Sequence, residues 1–271
     1  MRGTVLLLAL TLGACARPPA SSGGIVSTNP CADAMLVELV PPAQIAAISH
    51  YSQDEAASSI PPEVSRRFRT TAGTAEEVIA MRPDLIVASS MTPAVTRAAY
   101  TRAGLTVLTF DSPTTVAASE AQVRRLAAAV GARRQGEAMV GRIEAAVRQV
   151  AAIPHTGRDP AALLFIAGDL ASGSGTLLDE LMRRAGFTNA AAGYGLAFTG
   201  ALPIETIAAH PPRVVISPGD GRTAALRRRV LARISAPVAE ASFPRRLMNC
   251  GGPVIVPALA RLATIRRQMA T

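Results

Sequence analysis

Short apolar runs alternate with longer amphipathic stretches along most of the chain, and the alternation predicts the elements. Residues 24–28 (GIVST), 45–49 (IAAIS), 85–88 and 106–110 read as short buried strands. Helical patterns fill the gaps at 32–40 and 93–103. Asn29 is placed to cap the first helix, with Pro30 at its first position, where a missing N–H costs nothing. Residues 53–73 are polar and irregular. Thr74-Ala75-Glu76-Glu77 then reads as a capping box for a helix that ends before Pro83. The middle is helical: 116–130 is amphipathic, and 135–152 keeps Met139, Ile143, Ala146, Val147 and Val150 on one face. Beyond Pro154 and Pro160 the alternation restarts, with strands expected at 163–167, 214–217 and 246–249. Helices are expected there at 176–185, 204–209, 223–234 and 253–269.

The second half echoes the first. EEVIAMRPDLIV at 76–87 and ETIAAHPPRVVI at 205–216 share their leading glutamate, a proline and the spacing of their apolar positions, at an offset of 129. Strands that alternate with helices build parallel sheets. The fold class is therefore α/β: two similar doubly wound lobes joined by a long rigid helix. Residues 25–115 form the first lobe, 116–153 the helical region and 160–271 the second lobe.

Composition narrows the class. At 271 residues the chain is 49% apolar and 17% charged, a packed protein with room for two lobes. The net charge of +9 comes entirely from arginine, which reflects an Arg- and Ala-rich coding bias. Aromatics are 3%, tryptophan is absent and no basic stretch is interleaved with aromatics, so nucleic acid is not an expected partner. Arg2 followed by the apolar 5–12 reads as a targeting segment too short to span a bilayer. Two processing readings overlap there. Leu12-Gly13-Ala14-Cys15 looks like a lipobox that would lipidate Cys15, whereas Ala14-Cys15-Ala16 is an A-x-A site that would remove it; the signal ends at 16 or just before Cys15. Residues 17–24 are then a flexible tether. Both readings export the protein, and a membrane is met only through the anchor, if there is one.

In open parallel sheets ligands bind beyond the carboxyl ends of the strands. Those positions hold Asn29 to Cys31, His50, Tyr51, Ser90 and Thr92 in the first lobe. In the second they hold Gly168, Asp169, residues 218–220 and Cys250. Arg66, Arg67 and Arg69 precede the next loop, and Arg69 joins the cleft set as a holder of anionic oxygens. No group is expected to act as a catalytic residue or as a direct metal ligand. The three histidines, His50, His155 and His210, lack ligand spacing. ASGSGT at 171–176 has the wrong spacing for a nucleophile elbow, and neither a P-loop nor a dinucleotide fingerprint is present.

The quoted stretches also carry a family resemblance. IVSTNPCADAML with IAAISHYSQD resembles the opening of the periplasmic binding proteins for cobalamin and ferric siderophores. GTAEEVIAMRPDLIVAS is similar to their first-lobe helix–strand unit. SGSGTLLDELMRRAGFTNAAA, LPIETIAAHPPRVVIS and CGGPVIVPALARLA resemble their second lobe. The resemblance runs from about 25 to 261, in the family's order. It implies two lobes joined by a helical backbone, with a metal chelate, either a ferric siderophore or a corrinoid, held between them. No cofactor is implied beyond the chelate itself. It further implies an ABC permease and its ATPase as partners, docked through one exposed glutamate per lobe, and these map onto Glu76 and Glu205. The absence of tryptophan departs from the cobalamin receptors.

Cys31 and Cys250 remain. An exported protein with two thiols left after processing pairs them more often than not. The bond would close a loop of more than 200 residues and tie the lobes together across the ligand's own space, which argues against a permanent bond. Thiols that touch the ligand, and small residues that merely fit tight turns, are the alternatives. The first of these leads to a competing function: an exported thiol-based metal or redox protein on the same fold.

Overall fold

A computed structural model describes residues 23–55, 58–154, 157–219, 221–234 and 237–269. Cys15 with its two processing readings, His155 and Asp220 lie outside the described residues. The first lobe is a sheet of β1 (Ile25–Ser27), β2 (Ile45–Ser49), β3 (Thr70–Thr71), β4 (Leu85–Ser89) and β5 (Val107–Phe110) in the order β3-β2-β1-β4-β5. All of its pairings are parallel. Its helices are α1 (Pro30–Leu39), the short α2 (Pro62–Ser65), α3 (Ala75–Met81) and α4 (Ala94–Arg102). Two helices follow: α5 (Val116–Ala129) and α6 (Arg133–Ala151), whose 19 residues make a rod of about 28 Å.

The second lobe contains β6 (Ala161–Ala167), β7 (Leu170–Ala171), β8 (Thr188–Asn189), β9 (Gly200–Ala201), β10 (Val214–Ser217) and β11 (Ala239–Ser242). Its main path is β11-β10-β6-β7-β9, with β8 paired to β6. The two-lobed α/β class expected from sequence is the observed one, and the second lobe adds antiparallel β6–β7 and β7–β9 pairs to a parallel centre. Its helices are α7 (Leu177–Arg184), α8 (Ile204–Ala209), α9 (Gly221–Leu231) and α10 (Ile255–Gln268).

Strand periodicity explains the layering. Along β6, Ala162 and Leu164 face one apolar cluster while Leu163 and Phe165 face another. In β4, Val87 points one way and Ile86 and Ala88 the other. Each sheet is therefore covered on both faces, as parallel sheets require. The inner cluster is continuous: it runs from Leu36 and Ile48 through Leu126, Met139 and Ile143 to Leu164, Ile216 and Leu259. The lobes thus share one core built on α5, α6 and α10. Gly136 permits this packing, since a Cβ there would lie 2.4 Å from that of Ala127.

The caps are the ones the sequence encodes. Asn29 accepts hydrogen bonds from the Cys31 and Ala32 amides at 3.0 and 3.4 Å. Thr74 caps α3 through the Glu77 amide, while the Glu77 carboxylate reaches back to the Ala72 amide rather than to that of Thr74. The echoed units superpose in role: α3 leads to β4 and α8 to β10, with Val78 and Ile207 both buried. One expected strand is not observed. Residues 246–249 fall in and after a single 3-10 turn (Arg245–Leu247), and the edge strand is instead Ala239–Ser242. The polar sequence AEAS shows no buried alternation because this strand lies at the sheet edge, mostly exposed.

Candidate functional site

The carboxyl ends of both sheets face a cavity of about 420 Å³ between the lobes. The first lobe supplies residues 112–114, which follow β5. The second supplies Ile166 near the end of β6, Ser172, residues 175–178 at the start of α7, Phe198 and Thr199. Residues 248–251 complete the wall. This lining is made of hydroxyl, amide, sulfur and apolar groups, with no ionisable side chain. The Gly173–Gly175 turn closes on residues 197 and 198: a Cβ at Gly173 would sit 2.1 Å from the Phe198 carbonyl oxygen. That contact, with the bond from the Gly175 amide to the Ala197 carbonyl at 2.6 Å, places the exposed Phe198 ring on the cavity.

Cys31 and Cys250 are joined by a disulfide, with Cα atoms 5.1 Å apart. Contrary to the expectation from sequence, the bond forms, and the position of the Cys250 segment explains why. Residues 250–252 are docked on the first lobe. The Gly252 amide donates to Ser119 Oγ of α5 at 2.7 Å, and a Cβ on Gly252 would lie 2.8 Å from the Met35 side chain of α1. Gly252 also has φ +60°, so a side chain there would be strained as well as blocked. The bond therefore lies in the floor of the cleft, where the lobes already touch, and does not cross the ligand's space. A second tie lies close by: the Glu180 carboxylate of α7 accepts the Val116 amide of α5 at 2.7 Å. Cys250 lines the main cavity, and Cys31 lines an adjoining pocket of about 60 Å³ that shares Asn249 and Gly251. Neither sulfur is a free thiol, which removes the footing of the thiol-based alternative.

The other residues expected at the cleft are not part of the cavity wall. His50 and Tyr51 form a 3-10 turn after β2; the His50 ring nitrogen is 3.2 Å from the Thr71 carbonyl, and the two rings are 4.0 Å apart. Ser90 and Thr92 follow β4, and both of their carbonyls accept from Arg97. Asp169 is exposed in the tight β6–β7 turn, where the neighbouring Gly168 carbonyl is held by buried Arg227. Arg227 also stacks over Phe165, 3.9 Å from its centroid, and burial pushes its guanidinium pKa down. Arg69 is exposed beside β3. Arg66 pairs with Glu55, and Arg67 lines a separate pocket with Arg246, so neither lines the cavity. Residues 112–114 and Phe198 had no signal in the sequence beyond their place after a predicted strand or in a loop, and Met248 was expected inside a strand that does not form.

Among the described residues six large hydrophobic side chains stand exposed: Tyr51, Met91, Val95, Leu170, Phe198 and Leu226, of which Phe198 lines the cavity. Glu76 and Glu205 each occupy the second position of a helix, α3 and α8, and both are exposed. Neither forms an ion pair among the described residues. No group of three His, Cys, Asp or Glu side chains able to hold a metal ion occurs among the described residues. No helix among them is long and apolar enough to cross a membrane.

Two lobes on a helical backbone with a cleft at their facing strand ends define the class of bilobal binding proteins. The chain belongs to the periplasmic binding protein family, whose model matches residues 25–232. Solved structures of the same fold include a periplasmic heme-binding protein of Pseudomonas aeruginosa (22% identity, TM-score 0.72, covering 90% of this chain and 92% of that one). Another is the apo periplasmic heme-binding protein of Roseiflexus sp. RS-1 (20% identity, TM-score 0.71, covering 91% and 100%). A third is the periplasmic vitamin B12 binding protein of Vibrio cholerae (18% identity, TM-score 0.70, covering 92% and 98%). No curated protein matches the chain by sequence.

Proposed function

We propose that this protein is the solute-binding component of an ABC importer and that its cargo is a metal chelate held between the two lobes. The observation that carries this reading is the interlobe cavity, walled from both lobes by uncharged groups and bearing the exposed Phe198 ring. Such a wall suits a bulky ligand with apolar faces and neutral amide or hydroxyl edges. A corrinoid has that chemistry. A tris-catecholate iron complex carries several negative charges that this wall does not compensate, and Arg66, Arg67 and Arg69 are not part of it. The relatives named for heme and vitamin B12 are consistent with a macrocyclic metal chelate. The metal enters as part of the cargo and needs no resident site. In this reading the protein is exported to the periplasm and tethered through Cys15 where the lipobox is used.

Titration of the mature protein with cyanocobalamin, ferrichrome, ferric enterobactin and hemin, followed by tyrosine fluorescence and calorimetry, tests the assignment. Binding of cyanocobalamin at micromolar or lower Kd, with ferric enterobactin at least about 100-fold weaker, is the expected result. Tight binding of the catecholate alone would overturn the corrinoid choice, and no binding of any chelate would overturn the class of cargo.

The same reading makes Glu76 and Glu205 the contacts to the permease. They are exposed, unpaired among the described residues and repeated once per lobe. A Glu76→Ala, Glu205→Ala double variant is expected to lose chelate uptake in reconstituted vesicles by more than about tenfold while its chelate Kd stays within twofold of wild type. Uptake at wild-type rate would remove both residues from the docking surface.

A further inference from the structure

Asp33 is a charged residue with no exposed surface, placed in the first turn of α1. Its Oδ2 accepts the Ser49 amide at 2.9 Å and the Ser52 hydroxyl at 2.7 Å. These two donors, one at the N-cap of the 3-10 turn His50–Gln53 and one within it, lie on either side of His50 and Tyr51. Tyr51 is 52% exposed, with its ring against His50. The rest of the turn is held by other groups: the Tyr51 amide bonds to Ser49 Oγ at 3.3 Å, His50 meets the Thr71 carbonyl, and Gln53 Nε2 donates to the Ser65 and Phe68 carbonyls, each at 3.0 Å. Ser52 and Ser58 are buried under it, and the Ser58 hydroxyl bonds the Ser52 carbonyl at 2.8 Å. A carboxylate placed this deep costs several kcal/mol unless its hydrogen bonds do specific work. A serine or alanine at position 33 would satisfy the helix start, because Asn29 already caps it. The carboxyl also remains under-satisfied, as Oδ1 has no hydrogen-bond partner. Fold stability alone does not account for a buried acid that spends its bonds on one exposed turn.

We infer that Asp33 is a positioning residue for the ligand cleft: it holds the Ser49 amide and the Ser52 hydroxyl, on either side of His50 and Tyr51, and so fixes the Tyr51 ring beyond the carboxyl end of β2, on the cleft side. The role rests on the chelate-binding reading only for what Tyr51 contacts; the clamp itself is independent of it. Asparagine is the conservative replacement, since its single oxygen can accept the same two donors while its volume is unchanged. Alanine removes both bonds.

Hydrogen exchange of the full mature chain, read by mass spectrometry, tests the clamp without any ligand. In Asp33→Ala the amides of residues 49–53 are expected to exchange at least about tenfold faster, with β1 and β4 at wild-type rates; Asp33→Asn should restore protection. Where Asp33→Ala does not fold, Ser52→Ala removes one of the two bonds from the other side and should raise exchange in the same segment severalfold. Unchanged exchange at 49–53, an equal rise throughout the lobe, or an asparagine variant as loose as alanine would each overturn the clamp. Cyanocobalamin titration forms the second arm: Kd should rise about tenfold in Asp33→Ala and in Tyr51→Ala, and stay within twofold in Asp33→Asn. Wild-type protein that binds cyanocobalamin with a Kd insensitive to both Tyr51→Ala and Asp33→Ala would overturn the link to the cleft. If wild type binds no chelate, the transport reading fails by itself and the exchange arm still decides the clamp.

Discussion

Replacing Cys31 and Cys250 together by serine should lower the thermal midpoint of the mature protein by about 10–20 °C. The bond closes a loop across a sequence separation of 219 residues. In the chain-entropy account a loop of that size is worth about 5 kcal/mol, and for a chain of this length each kcal/mol moves the midpoint by about 2–4 °C. Native-state strain is the usual reason such bonds deliver less, but here the cysteine segment is packed whether or not the sulfurs are joined. The Ser119 bond to Gly252 and the fit of Gly252 against Met35 hold it in place. The reduced protein should therefore keep its fold and lose mainly the constraint on the unfolded chain. Calorimetry of the double variant beside wild type, each with and without reductant, reads the effect. A midpoint within about 3 °C of wild type would mean that the lobes are tied by packing alone. Alkylation of unfolded, unreduced protein should label neither cysteine.

The disulfide also marks where the sequence stops being legible. Both cysteines could be placed at strand ends, because apolar runs and caps locate those ends locally. Whether they meet depends on where residues 249–252 dock, and that is set by contacts with α1 and α5 far away in the chain. The paired glycines after Cys250 were the available signal, since a Cβ at Gly251 would collide with Ser119 of α5 and one at Gly252 with Met35 of α1. The same limit explains the strands. Those buried on both faces, such as β4, β6 and β10, announce themselves as apolar runs. The two-residue strands β3, β7, β8 and β9 are too short to show a period, and β11 is a polar edge. The echo between α3–β4 and α8–β10 was readable because proline and apolar spacing repeat in both units. The cavity wall was not, because residues 112–114 and Phe198 are loop positions with no periodic pattern and are brought together only by the lobes facing one another.

Asp33 should give the protein a stability that declines as pH rises. Burial pushes its carboxyl from 3.8 up to about 7, against the opposing effect of the nearby Ser27 hydroxyl and of the hydrogen bonds from Ser52 and the Ser49 amide. The groups that face it are hydroxyls and a backbone N–H from β1, β2 and the 50–53 turn, so no neighbouring cation offsets the burial. Between pH 4 and 7 the folded protein keeps a proton that the unfolded chain has released. The native state then binds more protons than the unfolded one, and the free energy of unfolding falls with pH across that window. The contribution is fully present below about 4, is lost as pH rises through about 7, and amounts to about 4 kcal/mol between the two ends. Asp33→Asn cannot ionise and keeps every other titrating group, His50 included. The difference in unfolding free energy, variant minus wild type, should therefore rise by about 3 kcal/mol between pH 4.5 and 8.5. Urea denaturation across this range, with m-values checked for constancy, measures it. Parallel profiles for the two proteins would show that Asp33 has the same charge when folded and unfolded, and would return the buried carboxyl to its ordinary range.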